Sequence, residues 1–165
     1  MLTDRELFSI WYIEPLRKLQ EMPEGQAGFV ILGTACFLYE RYAVANLKNQ
    51  NKKADKKGLV QQLASDFGID NATATAFWDV IRNGMLHEGM RLRNKKYSGW
   101  GFRDDYPGMA ISEVNGKPYL FVEPFKFADR VLQLWEENLD LLKRSHSFPW
   151  ATVGPTPTYT PETSS

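Results

Sequence analysis

The sequence feature that most limits the possible folds is a long apolar segment from about Gln26 to Leu47. Through Tyr39 its residues are apolar on almost every side of a helix, which is typical of the buried central helix of a helical bundle. The apolar part is too short to cross a bilayer before Glu40 and Arg41 interrupt it. The segment therefore predicts a bundle core, and nothing in it requires a ligand.

Shorter amphipathic segments on both sides of this helix predict the other helices of the bundle. A helix near the N-terminus contains Pro15, which either kinks it or begins its second part. A later short helix is expected to end near Gly68, and Asp70 or Asn71 then caps the next one. Pro124 is a favoured first helical residue and predicts the start of the last helix.

Two short strands are predicted immediately before that last helix. Residues 110–114 and 119–122 flank the dipeptide Asn115-Gly116, which is the strongest short-range signal for a tight hairpin turn. Pro118 cannot donate to a strand ladder, which places the second strand at an edge of the sheet. The predicted fold is mainly α, an up-and-down helical bundle of four to five helices with a small β-hairpin before the last helix.

The chain is expected to form one domain followed by a tail. Residues 1–148 are numerous enough to bury a sizeable core. Residues 149–165 are rich in Pro, Thr and Ser, a composition that cannot build a core and predicts a disordered tail.

Charge and cysteine content limit the class of protein. Lysine and arginine together number 20, as do aspartate and glutamate, so the formal net charge is zero. This balance argues against coating nucleic acid by bulk electrostatics and permits a local basic patch. Cys36 is the single cysteine, lies in the apolar segment and predicts a buried thiol in a reducing compartment. The N-terminus does not resemble a signal peptide, so we expect a cytoplasmic protein without a membrane partner.

Three chemically capable side chains lie close together at the end of a mostly apolar helix, in the stretch Phe77–Gly89. Arg82 is a permanent cation, Asn83 offers a donor and an acceptor, and His87 can transfer protons near neutral pH. A single arginine or histidine in such a place is usually a solvated residue or a favourable partner of the helix dipole. The combination of all three residues at this spacing indicates a functional site.

The run "IRNGMLHEG", with its arginine, adjacent polar residue and histidine after four intervening residues, resembles the signature of the HEPN (higher eukaryotes and prokaryotes nucleotide-binding) domain family. The resemblance extends loosely over residues 1–145. It implies a metal-independent ribonuclease, because the active members of that family are such enzymes. It also implies a homodimer with two motifs facing each other across a cleft, and a role as a toxin or anti-phage defence effector with an antitoxin or defence-system partner.

RNA offers a reaction that these side chains can catalyse. The 2′-hydroxyl attacks the adjacent phosphorus, which requires a base, an acid for the leaving oxygen and a cation for the extra charge. His87 suits proton transfer, and Arg82 suits the phosphorane because its planar fork matches phosphate oxygens. Asn83 lies four residues before His87 and could fix the imidazole tautomer.

Arg82 and His87 are five residues apart, about 140° around an ideal helix, so one straight helix does not aim both at one phosphate. Either Gly84 loosens the helix end, or a second copy of the chain completes the site.

Residues 90–107 alternate cations with aromatic rings, a mixture that suits single-stranded RNA through phosphate pairing and base stacking. A loop whose rings pack onto the bundle explains this composition equally well. The candidate RNA-binding residues are Arg91, Arg93, Lys95, Lys96, Tyr97 and Trp100. The lysine-rich stretch 48–57 is more simply a solvated loop, with RNA steering as the other interpretation.

No metal or cofactor is expected. Arg91 occupies the position where a zinc-protease helix would carry its second histidine, and one cysteine with two distant histidines cannot form a structural zinc site. A second class of function stays open: a HEPN-like module that binds RNA or nucleotide without cleaving it, or serves as an assembly subunit. Gly84 beside Asn83 and the zero net charge are compatible with that class.

Overall fold

The protein is mainly α-helical with a small three-stranded sheet, in a computed structural model that describes residues 2–23, 26–84, 96–105 and 108–144. In the described residues, two π-helical segments, Ser9–Ile13 and Trp78–Arg82, interrupt or extend the α-helices. Within the described residues the elements are α1 (Asp4–Phe8), α2 (Glu14–Gln20), α3 (Gly28–Asn49), α4 (Lys56–Phe67), α5 (Asn71–Phe77), β1 (Gly99–Phe102), β2 (Met109–Val114), β3 (Lys117–Val122), α6 (Pro124–Glu137) and α7 (Asp140–Arg144).

Helix α3 is the centre of the core, as its composition predicts. It packs chiefly against α6, and the side chains of Leu38, Tyr39 and Trp135 at this contact are almost completely buried. The Trp135 indole Nε1 donates a hydrogen bond of 3.0 Å to the backbone oxygen of Leu38. That bond satisfies the one polar group of the ring, so the largest core side chain is buried without an unpaired donor.

By length and composition alone, α3 could also cross a membrane, with a mean hydropathy of 1.2 over its most apolar window. Half of that window is buried inside the domain. Core helices of soluble proteins and signal sequences both share this composition.

Pro15 begins the second part of the N-terminal helical region, which is one of its two predicted roles. It occupies the start of α2, directly after the first π-helical segment. The backbone N–H of Glu14 donates to the oxygen of Ser9, five residues earlier. Proline has no N–H to donate and its ring clashes with the carbonyl four residues before it, so a wider turn at this point relieves the clash.

The predicted helix boundaries around α4 and α5 are confirmed. Helix α4 ends at Gly68, which has a φ of 62° in the left-handed region that glycine tolerates. The Asp70 carboxylate caps α5 by accepting a hydrogen bond of 2.6 Å from the backbone N–H of Thr73. Pro124 starts α6 as expected, but the last helix is not continuous, because Asn138 leaves helical geometry between α6 and α7.

The hairpin is confirmed and the predicted edge position of its second strand is wrong. Asn115 and Gly116 both have positive φ, 52° and 72°, and connect the paired residues Val114 and Lys117. The sheet order is β1-β3-β2, so β3 lies in the centre. Pro118 is tolerated there because the parallel ladder with β1 starts at Tyr119, one residue further on.

Strand β1 falls within residues 90–107, where the sequence predicts a loop. It pairs in parallel with β3, and Gly99 lies opposite Tyr119. A Cβ atom at Gly99 would lie 2.3 Å from the Tyr119 ring, so only glycine lets the ring cover this strand. The predicted tail, residues 149–165, lies outside the described part of the chain.

Candidate active site

Arg82 and Asn83 stand where the second π-helical segment ends. The backbone N–H of Asn83 donates to the oxygen of Trp78, five residues earlier, so the turn that carries Arg82 is wider than an α-helical turn. Trp78, Val80 and Ile81 of this segment are buried in the core, whereas Arg82 and Asn83 are partly exposed. The packed apolar side chains thus hold two polar ones at the surface.

Hydrogen bonds to two described residues, Glu40 and Asn83, orient the guanidinium of Arg82. Its Nε donates to Oε2 of Glu40 over 3.1 Å, and its Nη2 donates to Oε1 of the same carboxylate over 2.6 Å. Its Nη1 donates to Oδ1 of Asn83 over 2.7 Å. The guanidinium carbon also lies 5.3 Å from the centroid of the Trp78 ring. A planar fork bound on two sides and set over a ring has one orientation, which is the preorganisation that transition-state stabilisation requires.

This ion pair lies at the border between core and solvent. The Arg82 and Glu40 side chains are 18% and 27% exposed, so solvent screens their attraction only in part. Cys36 lies one helical turn before Glu40 and is buried. Burial raises the pKa of the Cys36 thiol, while the charges of Arg82 and Glu40 act on it in opposite directions. The thiol is therefore neutral at physiological pH and is no candidate nucleophile.

Asn83 has a partner that the sequence does not predict, and its expected contact with His87 lies outside the described residues. The sequence predicts that it shares a helix face with His87, and in the structure its carbonyl oxygen accepts a hydrogen bond from Arg82. A guanidinium offers only donors, so this bond fixes the orientation of the amide. Within the described residues, the Nδ2 group of Asn83 has no hydrogen-bond partner.

Glu40 is the site residue that sequence reasoning missed. It lies 42 residues before Arg82, and in the sequence it only marks the end of an apolar run. The available signal was a carboxylate in the middle of the core helix, because a partly buried carboxylate normally requires a cationic partner.

His87, Arg91, Arg93 and Lys95 lie outside the described residues, so of the three predicted catalytic residues the structure shows Arg82 and Asn83 together. Among the described residues, no group of three or more His, Cys, Asp or Glu side chains is placed to hold a metal ion.

Lys96, Tyr97 and Trp100 occupy three different environments. Lys96 is exposed, with its Nζ 5.6 Å from the centroid of the Tyr97 ring. Tyr97 is only 5% exposed, so its ring offers no open face to a base. Trp100 is partly buried and packs edge-on against Phe29, with 5.8 Å between ring centroids. Of the two rings predicted to stack on RNA, Trp100 is the accessible one.

Comparison of the chain with known proteins identifies no relative: no family model, no curated protein and no solved structure matches it.

Proposed function

We propose that this protein is a metal-independent endoribonuclease that cleaves single-stranded RNA by attack of a 2′-hydroxyl on the adjacent phosphorus. The proposal builds on the HEPN-like motif of Arg82, Asn83 and His87. It also includes an up-and-down arrangement of the helices. The observation that carries it is the guanidinium of Arg82, which Glu40 and Asn83 hold in one orientation at the surface, five residues before His87.

In the proposed reaction, a base removes the proton of the 2′-hydroxyl as its oxygen bonds to phosphorus. The bond from phosphorus to the 5′-oxygen then breaks, and an acid protonates that oxygen. The products are a 2′,3′-cyclic phosphate and a 5′-hydroxyl. His87 transfers protons, since an imidazole titrates near neutral pH, and Arg82 stabilises the charge that develops on the phosphorane oxygens.

Asn83 and Glu40 have positioning roles in this scheme. Glu40 holds the Nε and Nη2 side of the guanidinium, and Asn83 holds Nη1. Because its oxygen faces Arg82, Asn83 directs its amide Nδ2 elsewhere, and that group can donate to a phosphate oxygen or to the His87 ring.

The direct test is incubation of the native protein with single-stranded RNA in excess chelator, beside His87→Ala and Arg82→Ala. We expect cleavage by the native protein, products that carry 2′,3′-cyclic phosphate ends, and a loss of about 100-fold or more in each variant. His146→Ala and Arg17→Ala serve as matched controls and should cleave normally. An absence of cleavage by the native protein on every RNA tested would overturn the enzyme assignment.

The proposal includes a homodimer. The angle of about 140° between residues five apart on an ideal helix separates Arg82 from His87, so a second copy supplying one of them would complete a site. If each site takes Arg82 from one subunit and His87 from the other, mixing the Arg82→Ala and His87→Ala proteins creates one intact site per heterodimer and restores part of the activity. If each subunit supplies its own pair, the mixture stays inactive.

We further propose that residues 91–100 contact the RNA through Arg91, Arg93, Lys95, Lys96 and the partly exposed Trp100. Replacing the four cations with glutamine should weaken binding and flatten its dependence on salt, because fewer counterions are released. An unchanged salt slope would assign this segment to packing or to a protein partner.

A second candidate function is a HEPN-like module that binds RNA or nucleotide, or assembles with a partner, without catalysis. The bidentate contact of Glu40 favours it, because an arginine already paired inside the fold has a sufficient structural role. The two functions predict different results for His87→Ala. If the protein is an enzyme, the variant loses RNA cleavage and keeps its RNA affinity. If it is a binding module, the native protein has no cleavage to lose.

The cellular setting belongs to the same proposal. We place the enzyme in the cytoplasm as a toxin or an anti-phage defence effector, with an antitoxin or a defence-system component as its partner. Growth arrest on expression of the native chain, but not of His87→Ala, would support this role.

A further inference from the structure

One of the two clusters of positive charge in this electrically neutral chain lies around the start of α4. Residues 48–57 contain five lysines and one aspartate. The Asp55 carboxylate is engaged as the helix cap, accepting a hydrogen bond of 2.9 Å from the backbone N–H of Gly58. Lys52, Lys53 and Lys57 have no ion-pair partner in the part of the chain that the structure describes.

The loop that carries two of these lysines is held in place. The backbone N–H of Lys52 donates a hydrogen bond of 2.8 Å to the oxygen of Leu47 at the end of α3. A Cβ atom at Gly58 would lie 2.3 Å from the backbone oxygen of Lys53, so the loop lies directly against the first turn of α4. These contacts fix the loop backbone and give the lysines a defined location.

Two cavities follow α4 from this loop towards α5. The first has a volume of about 370 Å³ and includes Lys52, Lys53, Lys57 and Gln61 in its lining. The second, of about 460 Å³, shares Lys57 and Gln61 with the first. Asn71 and Thr75 of α5 line its other side. The two cavities are therefore neighbours that share Lys57 and Gln61, and we call the surface they form together the lysine groove.

The lysine groove leads towards Arg82. Between residues 73 and 84, the side chains that are not buried are those of Thr75, Asp79, Arg82 and Asn83, which form one stripe along the helix. Lys56 bridges α4 to this stripe through an ion pair of 2.6 Å with Asp79. At about 1.5 Å per residue, the path from Asn71 to Arg82 is roughly 16 Å long.

The chemistry of the lining matches an RNA backbone. Lysines, amides and hydroxyls bind phosphate and ribose oxygens. Among the described residues, the lining also includes Leu47 and Val60 but contains no aromatic ring on which a base could stack. We propose that the lysine groove binds the phosphates of a single-stranded RNA whose cleavage site lies at Arg82. The placement of the cleavage site at Arg82 rests on the proposed ribonuclease function. The binding of phosphates rests on the lysine groove alone.

The test compares Lys52→Gln/Lys53→Gln/Lys57→Gln with Lys18→Gln/Lys117→Gln/Lys126→Gln, which removes the same charge from exposed lysines elsewhere. Binding of a long single-stranded RNA is measured in the His87→Ala background across salt concentrations. The plot of log affinity against log salt concentration has a negative slope, and the loss of three phosphate contacts should make that slope less steep by about 2. The affinity should fall about 10-fold or more at low salt, and the control set should change little. Equal losses of RNA affinity in both sets would mean that only the total charge matters, and would overturn the proposal that the lysine groove binds RNA.

Cleavage of short and long RNAs separates this inference from the proposed function. With His87 intact, the groove variant should cleave a dinucleotide at the native rate and a long RNA more slowly at low concentration. If the native protein cleaves nothing while the groove variant still loses RNA binding, the ribonuclease proposal fails and the groove stands. Polyglutamate of matched charge tests the alternative of an acidic protein partner, and equal affinity for it and RNA would overturn the assignment to RNA.

Discussion

Two consecutive residues of α3, Tyr39 and Glu40, belong to two very different polar clusters. The Tyr39 hydroxyl donates a hydrogen bond of 3.0 Å to Oδ2 of Asp66, and the Gln62 amide donates one of 2.8 Å to Oδ1. Glu40 faces another direction, since consecutive helical residues are about 100° apart, and binds Arg82.

The difference lies in how each carboxylate is compensated. Asp66 receives neutral donors, and the Arg130 guanidinium nearby donates to its backbone oxygen instead of its carboxylate. Desolvation raises the pKa of the Asp66 carboxyl, against the opposing effect of the hydrogen bonds from Gln62 and Tyr39. Glu40 meets a full positive charge through two hydrogen bonds. A carboxyl group that receives hydrogen bonds from neutral donors suits the joining of helices, whereas an oriented cation that is partly exposed suits the binding of an anion.

The largest effect on stability is expected from Glu40→Ala, which leaves the Arg82 guanidinium partly buried without its carboxylate. Hydrogen bonds to charged groups imply a loss of about 1–3 kcal/mol in the free energy of unfolding, measured in urea at pH 7. Cleavage should slow while RNA affinity rises, because a negative charge beside the site is removed.

Glu136→Ala is the matched control for Glu40→Ala. Its carboxylate meets Arg17 only at 3.8 Å on the surface, and such pairs contribute about 0–1 kcal/mol. If both variants lose the same stability, the Glu40–Arg82 pair contributes no more than an exposed surface ion pair.

A smaller effect is expected from Tyr39→Phe, which removes the hydroxyl that donates to Asp66. The loss of one hydrogen bond should lower the free energy of unfolding by about 1 kcal/mol. RNA cleavage at a temperature where the variant is folded should equal that of the native protein. A specific loss of cleavage would mean that the Asp66 cluster belongs to the site.

The smallest effect, and the one that depends on pH, concerns Asp66→Asn. A carboxyl whose pKa is raised in the folded state contributes stability at low pH that is lost as the pH rises through the folded pKa. Asparagine stays neutral, so the variant should gain stability relative to the native protein between acidic and neutral pH. A difference that moves in the opposite direction in urea titrations would contradict the assigned cause.

Local signals predicted much of the fold. The apolar α3, the Asp70 cap, the Gly68 end of α4 and the Asn115-Gly116 turn each depend on a few neighbouring residues, and all are found. The central position of β3 depends on parallel pairing with β1, a contact between segments 20 residues apart that no periodicity encodes.

In the candidate site, too, local signals are predictable from the sequence and long-range contacts are not. Arg82 and Asn83 are predictable from the sequence because they are adjacent in a short motif. Glu40 is not predictable in this way, because its contact with Arg82 depends on how the π-helical segment packs against α3. The burial of Tyr97 was likewise unpredictable from its cationic neighbours, because the packing of its ring against the folded domain decides it.

Replacing Arg82 with lysine tests the central claim most directly, because lysine keeps the charge and loses the planar fork that Glu40 and Asn83 orient. The cleavage rate of a saturating single-stranded RNA is compared with that of the native protein and of Arg17→Lys, with RNA affinity measured alongside. The account predicts a fall of about 100-fold or more for Arg82→Lys with little change in affinity, and a native rate for Arg17→Lys. An Arg82→Lys protein that cleaves RNA at the native rate would contradict it.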